Sequence, residues 1–357
     1  MSRMCIVPPY VLSALLANLA PDTTDDDREI AGWVQRTLSG RHDKRELASA
    51  IAKPGAGSTA PPSIPETVNR TISTANNTDT LPGTRVRGEG DPESSDAAVD
   101  EAYTGLGATW QLYHDAFSRN SIDGRGMPLL ATVHYEQSYD NAFFDGTQMV
   151  FGDGDGRYFN RFTKPLDVVG HELSHGVVAA TANLTYQGQS GALNESMADC
   201  FGSMVKQYDL GQTADEADWV IGAGLFTSAV NGVGLRSMKA PGTAFDDPAL
   251  GKDPQPDSMA GYVDTTDDEG GVHLNSGIPN RAFYLASVGI GGNAWDGAGK
   301  VWYAALTGGK VLASAQFADF ATVTAGTAAD IFGAGSSQHT AVVDAWTTVG
   351  LPPTPAV

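Results

Sequence analysis

The sequence predicts an α+β fold of two domains, a sheet-rich one followed by a mainly helical one. Its 357 residues exceed the size of a single ordinary core, since domains cluster near about 100–150 residues. Strand-like runs fall before residue 160 and helix-like periodicities after residue 166. That segregation is the mark of α+β rather than of alternating α/β units. The 42 glycines supply the turns that many short elements need.

Residues 9–20 read as a short helix and residues 25–39 as a second one. In the second, Ile30, Trp33, Val34 and Leu38 recur at helical spacing, and Asp25, Asp26 and Asp27 suit the positive end of the helix dipole. Residues 53–65 are rich in Pro, Gly, Ser and Ala without periodicity, which predicts a linker. The residues up to 52 therefore form a small separate unit. Strands are expected in 69–90 and 129–160, with Leu129–Tyr135 and Met149–Phe151 the clearest and Asp145-Gly146 a turn between them. A helix is expected near 95–117. From residue 166 onward the expected helices are 166–181, 192–209, 278–290, 296–307, 315–332 and 338–348. No internal repeat is visible.

Charge narrows the function. Forty-two acidic residues against 22 basic ones give a formal net charge of −20. Nucleic acid and anionic membrane both need a cationic face, so neither is an expected partner. No run of 18 apolar residues occurs, so no transmembrane helix is expected. Pro8 and Pro9 interrupt any apolar stretch at the N-terminus, so a Sec signal is not recognisable. Two cysteines, Cys5 and Cys200, do not make a disulfide framework.

The sharpest local signal is His171-Glu172-Leu173-Ser174-His175. On a helix, residues four apart share a face, so two imidazoles can converge on one tetrahedral zinc. Glu172 then stands beside them, placed to take a proton from a metal-bound water. An exposed helix face would also carry this pentad. The apolar flanks Val168, Val169, Val177 and Val178 argue instead for burial. Zinc needs a third protein ligand, and Asn194-Glu195-Ser196-Met197-Ala198-Asp199 offers Glu195 for it. Asp199, one turn on, can accept a hydrogen bond from a ligand imidazole and fix its tautomer.

Together these motifs resemble the zinc signature of the thermolysin-like metalloproteases. The resemblance extends over roughly residues 69–350. It includes Asn141-Ala142-Phe143-Phe144, the run Met149-Val150-Phe151-Gly152-Asp153-Gly154-Asp155-Gly156, Leu235-Arg236-Ser237-Met238, and Asp268-Glu269-Gly270-Gly271-Val272-His273-Leu274-Asn275-Ser276-Gly277. The short N-terminal unit with Pro8-Pro9-Tyr10 is similar to the protealysin-like branch. The resemblance implies a thermolysin-like fold with a zinc cleft between its β-rich N-terminal and helical C-terminal domains. It implies one catalytic Zn2+ on His171, His175 and Glu195, with Glu172 as general base. Tyr186 and His273 would meet the developing oxyanion, with Asp268 orienting His273 and Asp199 orienting His171. Asn141 and Ala142 would pair with the substrate chain and Arg236 with the carbonyl beyond the cleaved bond. Phe159, Val168 and Leu235 would line an apolar pocket favouring bulky residues after that bond.

The domains expected are a propeptide at 1–52, a linker and processing region at 53–68, a β-rich domain with the zinc helix at 69–181 and a helical domain at 182–357. The propeptide is expected to keep the chain latent, with self-cleavage somewhere in 40–68. Cys5, Pro8, Pro9 and Tyr10 are the latch candidates, either as an apolar staple or through a Cys5 thiolate on zinc. The expected partners are protein or peptide substrates and the chain's own propeptide. Secretion is expected, with room for a cytoplasmic pool. One departure bears on cations. Lys206 stands where the family often has a calcium ligand, and an ammonium cannot bind calcium. Calcium stays open as a second cation, but the double site is not expected. Asp153 and Asp155 read as part of a tight hairpin. A zinc-stabilised binding module without turnover would share the ligands, and Glu172, Tyr186 and His273 speak against it. So does the third-ligand spacing against an aminopeptidase.

Overall fold

The computed structural model describes residues 5–19, 25–38 and 66–354. The expected linker at 53–65 lies outside the described residues, as do the last residues of the first two expected helices. Two N-terminal helices, α1 (Pro9–Asn18) and α2 (Asp25–Leu38), precede the main body. Pro9 opens α1 at the position where a missing N–H costs nothing.

The first half of the main body is a five-stranded sheet with one long helix against it. The strands are β1 (Arg70–Thr78), β2 (Thr84–Gly88), β3 (Leu129–Tyr135), β4 (Ala142–Phe144) and β5 (Met149–Phe151), in the spatial order β2-β1-β3-β5-β4. β1–β3 and β3–β5 pair in parallel; the two outer pairs are antiparallel. The helix α3 (Ala97–Phe117) joins β2 to β3, the long crossover that a parallel pair demands. β4 is therefore an edge strand, and an unpaired edge is a template for another extended chain.

Two long helices, α4 (Leu166–Ala180) and α5 (Gly188–Leu210), form the centre of the molecule. They touch where each has a glycine. A Cβ on Gly202 would stand 2.5 Å from the Asp167 carbonyl oxygen and 2.9 Å from the His171 nitrogen. Such contacts are impossible for any side chain, so Gly202 sets the close approach of the two backbones. The helix α5 begins four residues earlier than the expected 192. Its first turn contains Gly188 and Gly191, which carry no apolar periodicity to read.

Beyond α5 the short β6 (Val220–Ile221) pairs with β7 (Arg236–Ser237). The segment α6 (Asp268–Asn275) follows, and then α7 (Gly277–Ile290), α8 (Ala298–Thr307), α9 (Phe317–Phe332) and α10 (Ser337–Thr348). These last four match the expected helices within two residues at each end. Trp302, stacked on Trp346 at 5.9 Å, and Phe320 form the core between them. The expected hairpin at Asp153–Asp155 is not formed. After β5 the chain runs through a loop in which Asp155 Oδ1 accepts from the N–H groups of Arg157, Tyr158 and Phe159. A carboxylate turned on its own backbone replaces the second strand. No helix among the described residues is long and apolar enough to cross a membrane.

Candidate active site

The site lies where α4, α5, α6 and the edge strand β4 meet. His171, His175 and Glu195 are fully buried, and one ligand atom from each lies within 4.8 Å of the others. His171 donates from Nδ1 to Asp199 Oδ1 at 2.8 Å, since a carboxylate can only accept. His175 donates from Nδ1 to Asn194 Oδ1 at 2.9 Å, and Asn194 Nδ2 donates to the Leu184 carbonyl, which fixes the amide's orientation. Both Nδ1 atoms thus carry hydrogen. The two Nε2 atoms then present lone pairs to each other at 3.1 Å, with Glu195 carboxylate oxygens 3.5 Å from each. Glu195 Oε2 has no hydrogen-bond partner among the described residues. Three lone-pair donors crowded in a dry pocket repel one another unless a cation sits between them. Two imidazoles and a carboxylate are the donor set of a catalytic zinc site, so the residues fit zinc. Burial pushes the His175 imidazole down to about 4, which keeps it a ligand rather than a cation.

Asp199 does more than orient His171. It also accepts from Arg236 through both oxygens at 2.8 Å and from Asn280 Nδ2 at 2.8 Å. Although burial opposes ionisation, the Arg236 guanidinium and the His171 hydrogen bond hold Asp199 far below the usual carboxylate range. Arg236 is itself completely buried on β7.

Glu172 is fully buried on α4, one residue past His171. Its Oε2 accepts from the Phe144 N–H at 3.2 Å, while Oε1 has no hydrogen-bond partner among the described residues. Burial and the nearby Glu195 push its carboxyl well above the usual range, against the Phe144 and Ile6 amides. His273 approaches from α6. Asp268 to Gly271 all have positive φ, between 50° and 84°, so the chain makes a left-handed turn before entering a right-handed one. Gly270 and Gly271 meet that demand without Cβ strain. The turn brings Asp268 Oδ1 within 2.6 Å of His273 Nδ1, while Asp268 Oδ2 accepts the His273 N–H at 2.8 Å. Burial alone would lower the His273 pKa, but the Glu195 and Asp268 carboxylates outweigh it and raise it to about 9. Tyr186 donates its hydroxyl to Glu195 Oε1 and lies 3.3 Å from His273 Nε2.

The N-terminal segment occupies the cleft. Cys5 bridges Phe143 in antiparallel sense, extending the sheet past its edge strand. Ile6 donates its N–H to the Ala142 carbonyl at 3.4 Å, and Val7 donates to Asn141 Oδ1 at 3.2 Å. Arg236 Nη1 donates to the Ile6 carbonyl at 3.0 Å, and His273 Nε2 meets the Cys5 carbonyl at 3.2 Å. Ile6, Val7 and Pro8 are buried, with Pro9 and Tyr10 half-buried at the start of α1. Burial pushes the Tyr10 hydroxyl well above its usual range. The described contact of Cys5 with the catalytic groups runs through its carbonyl. Cys5 Sγ is not a member of the His171, His175 and Glu195 cluster, and neither cysteine is in a disulfide.

The expected pocket residues are placed less directly. Val168 lies one turn before His171 on α4. Leu235 precedes Arg236 and donates its N–H to Ile221, and Phe159 packs on Phe162 and Phe226. All three are completely buried. Lys206 pairs with acids instead: its Nζ is 2.7 Å from the buried Asp167 Oδ2 and 2.8 Å from Asp218. Sequence reasoning missed two positioning residues, Asn194 and Asn280. For Asn194 the signal was its place beside Glu195 on the same helical turn; for Asn280 there was none.

Comparison with known proteins agrees with this geometry. The family model for the thermolysin metallopeptidase catalytic domain matches residues 63–179, and that for the alpha-helical domain matches residues 182–351. An extracellular metalloprotease of Pectobacterium carotovorum subsp. carotovorum is 50% identical over 349 residues, covering 97% of this chain and 96% of that protein. Protease PrtS of Photorhabdus sp. (strain Az29) is 46% identical over 350 residues, 97% of this chain and 91% of that one. The solved precursor of protealysin, a metalloproteinase from Serratia proteamaculans, superposes with a TM-score of 0.86 at 48% identity, covering 97% of this chain and 99% of its own.

Proposed function

The chain belongs to the thermolysin family of zinc metallopeptidases, and from that membership we propose a self-processing endopeptidase precursor, held latent by its own first residues. The observation that carries the reading is the meeting of three groups at one point of the cleft. They are a buried three-ligand centre, Glu172 with an unpartnered Oε1, and His273 braced by Asp268. Zinc, when bound, lowers the pKa of its water towards about 7 and polarises the substrate carbonyl.

The chain's own residues do the rest. Glu172 takes a proton at Oε1 and later delivers it to the leaving nitrogen. His273 and Tyr186 donate to the oxygen on which charge develops, and Asp268 holds His273 for that purpose. Asp199 and Asn194 hold the two ligand imidazoles in the tautomer that leaves Nε2 open. Asn141, the Ala142 backbone and Arg236 bind the substrate chain along the β4 edge, a strand-addition mode that needs no particular side chain.

Cleavage before bulky apolar residues is supported by the complete burial of Ile6 beside Glu172, with Phe159, Val168 and Leu235 proposed as the apolar lining. Latency is supported by the contacts of Cys5, Ile6 and Val7 with the same groups that substrate would use. Hydrophobic anchorage helps: Val11, Leu12 and Leu15 of α1 are buried, and Trp33 of α2 meets Tyr139 edge-on at 5.2 Å. We assign residues 1–52 as propeptide, 53–68 as linker and processing region, and 69–181 and 182–357 as the two domains flanking the cleft. Release occurs by a cut in residues 40–68. Protein or peptide substrates and the chain's own propeptide are the partners. Secretion is supported by the extracellular relative that is 50% identical. The test is hydrolysis of a peptide library by the matured enzyme, with and without a zinc chelator. Chelator-sensitive cuts before Leu, Ile or Phe are expected. Cuts without such a preference, or unaffected by chelator, overturn the reading.

A further inference from the structure

One peptide bond of the N-terminal segment differs from its neighbours in what it touches. The Cys5–Ile6 amide has its carbonyl against His273 Nε2 at 3.2 Å and its N–H on the Ala142 carbonyl at 3.4 Å, on the same edge strand whose Phe144 N–H holds the Glu172 carboxylate at 3.2 Å. The next amide, Ile6–Val7, has its carbonyl on Arg236 and its N–H on Asn141 Oδ1. Arg236 has no proton it can give up and Asn141 is not a base, so neither end of that bond meets a group that transfers protons. The amide after it ends in Pro8 and has no N–H at all. Among the described residues of the segment, Cys5–Ile6 is therefore the amide whose carbonyl meets an oxyanion donor, and it is paired to the edge strand that also holds the general base.

The direction of the chain agrees. Cys5 to Val7 runs antiparallel to Phe143 to Asn141, so the segment is laid along the edge strand as a fourth partner of the cleft, not across it. Arg236 holds the carbonyl immediately after the bond, and the same guanidinium is fixed by Asp199, the carboxylate that orients the ligand His171. Position along the segment is thus set by buried, charge-assisted contacts. A shift by one residue would break all of them together and turn the side chains to the opposite face.

We propose that the Cys5–Ile6 bond is itself a cleavage site, cut in place by the chain's own active site. This rests on the endopeptidase reading above. Water adds to the Cys5 carbonyl carbon and gives its proton to Glu172 Oε1. The C–N bond to Ile6 breaks, and Glu172 returns the proton to the Ile6 nitrogen. The products are a segment ending in the Cys5 carboxylate and a new N-terminus at Ile6. The cut does not by itself activate the enzyme. Ile6 and Val7 stay anchored through the buried Val11, Leu12 and Leu15 of α1, and this tethered product must leave before external substrate enters.

The experiment uses the full chain, purified in chelator and then given zinc, with intact mass and N-terminal sequence followed over time. Casein hydrolysis is read from the same samples. The expected result is a species beginning at Ile6, forming at a rate independent of protein concentration and before casein hydrolysis rises. Its formation in Glu172→Ala should be slower by about a hundredfold or more. Ile6→Pro, which removes the N–H that pairs this amide to Ala142, should leave that bond intact while cuts elsewhere continue. In the parent, an N-terminal fragment released with its Cys5–Ile6 bond still intact, once casein hydrolysis has risen, would overturn this proposal and leave the protease reading standing. A cut at this bond whose rate rises with protein concentration would likewise overturn cleavage in place. Loss of neither the bond nor casein would overturn both.

Discussion

The Nε2 atoms of His171 and His175 face each other 3.1 Å apart, each with its opposite nitrogen already donating to Asp199 or Asn194. Two lone pairs at that distance in a fully buried site call for a cation. His171→Ala should therefore lose the metal: elemental analysis should fall from about one zinc per chain to near zero. Stoichiometric zinc with full activity in this variant would contradict the assignment.

His273 is braced by Asp268 and aimed at the carbonyl of the segment in the cleft. A hydrogen bond that strengthens as charge develops acts on the chemical step rather than on binding. In the matured enzyme, His273→Ala should lower kcat by about a hundredfold with little change in KM. An unchanged kcat with a raised KM would make His273 a plain binding residue.

Lys206 should carry stability through its pairing with a buried carboxylate. Its ammonium is the charge partner of Asp167, which has no exposed surface and, among the described residues, otherwise accepts from the Gly222 N–H. Lys206→Met leaves that carboxylate buried and unpaired, at a cost of about 3 kcal/mol. Urea melts should show the loss, and adding Asp167→Asn should recover most of it. Calcium added to the parent should leave the melting temperature nearly unchanged; a large upward shift would count against the account.

His134 links three elements: Nδ1 is 2.7 Å from Asp153 Oδ2, and Nε2 is 2.8 Å from Asp96, the residue that caps α3. The Asp153 hydrogen bond raises its pKa, burial opposes this, and Asp96 adds to the rise, to about 9. A folded pKa above the ordinary value of about 6.5 means that the stabilisation is complete below that pH and is lost as pH climbs through about 9. The melting-temperature gap between the parent and His134→Asn should be widest near pH 6 and narrow progressively from about pH 6.5 to about pH 9. A gap that does not depend on pH would refute this.

The metal centre was legible in the sequence because helix geometry converts spacing into proximity. His171 and His175, like Glu195 and Asp199, are one turn apart, and apolar flanks reveal that both helices are buried. Leu129–Tyr135 was legible for the same kind of reason, a run of β-formers bounded by turn residues. The start of α5 was not, because Gly188 and Gly191 serve close packing and left no helical pattern. Nor was the left-handed turn at Asp268–Gly271 legible, where only the two glycines announce the backbone. The pairing of Val7 with Asn141, 134 residues away, has no local signal at all, and the roles of His134 and Asn280 depend on partners 38 and 81 residues away. Pro8, Pro9 and Tyr10 were candidates for an apolar staple, but the register that sets the Cys5 carbonyl against His273 is fixed by the edge strand.

The central claim is that Glu172 acts as the base of a zinc endopeptidase without holding the metal. It is tested most directly by measuring zinc content and casein hydrolysis on the same matured preparations of the parent and Glu172→Ala, the variant being matured in trans by active enzyme. The account predicts about one zinc per chain in both, with hydrolysis in the variant reduced by about a hundredfold or more and parental hydrolysis abolished by chelator. Parental rates in Glu172→Ala, or hydrolysis by the parent that survives removal of its zinc, would contradict it.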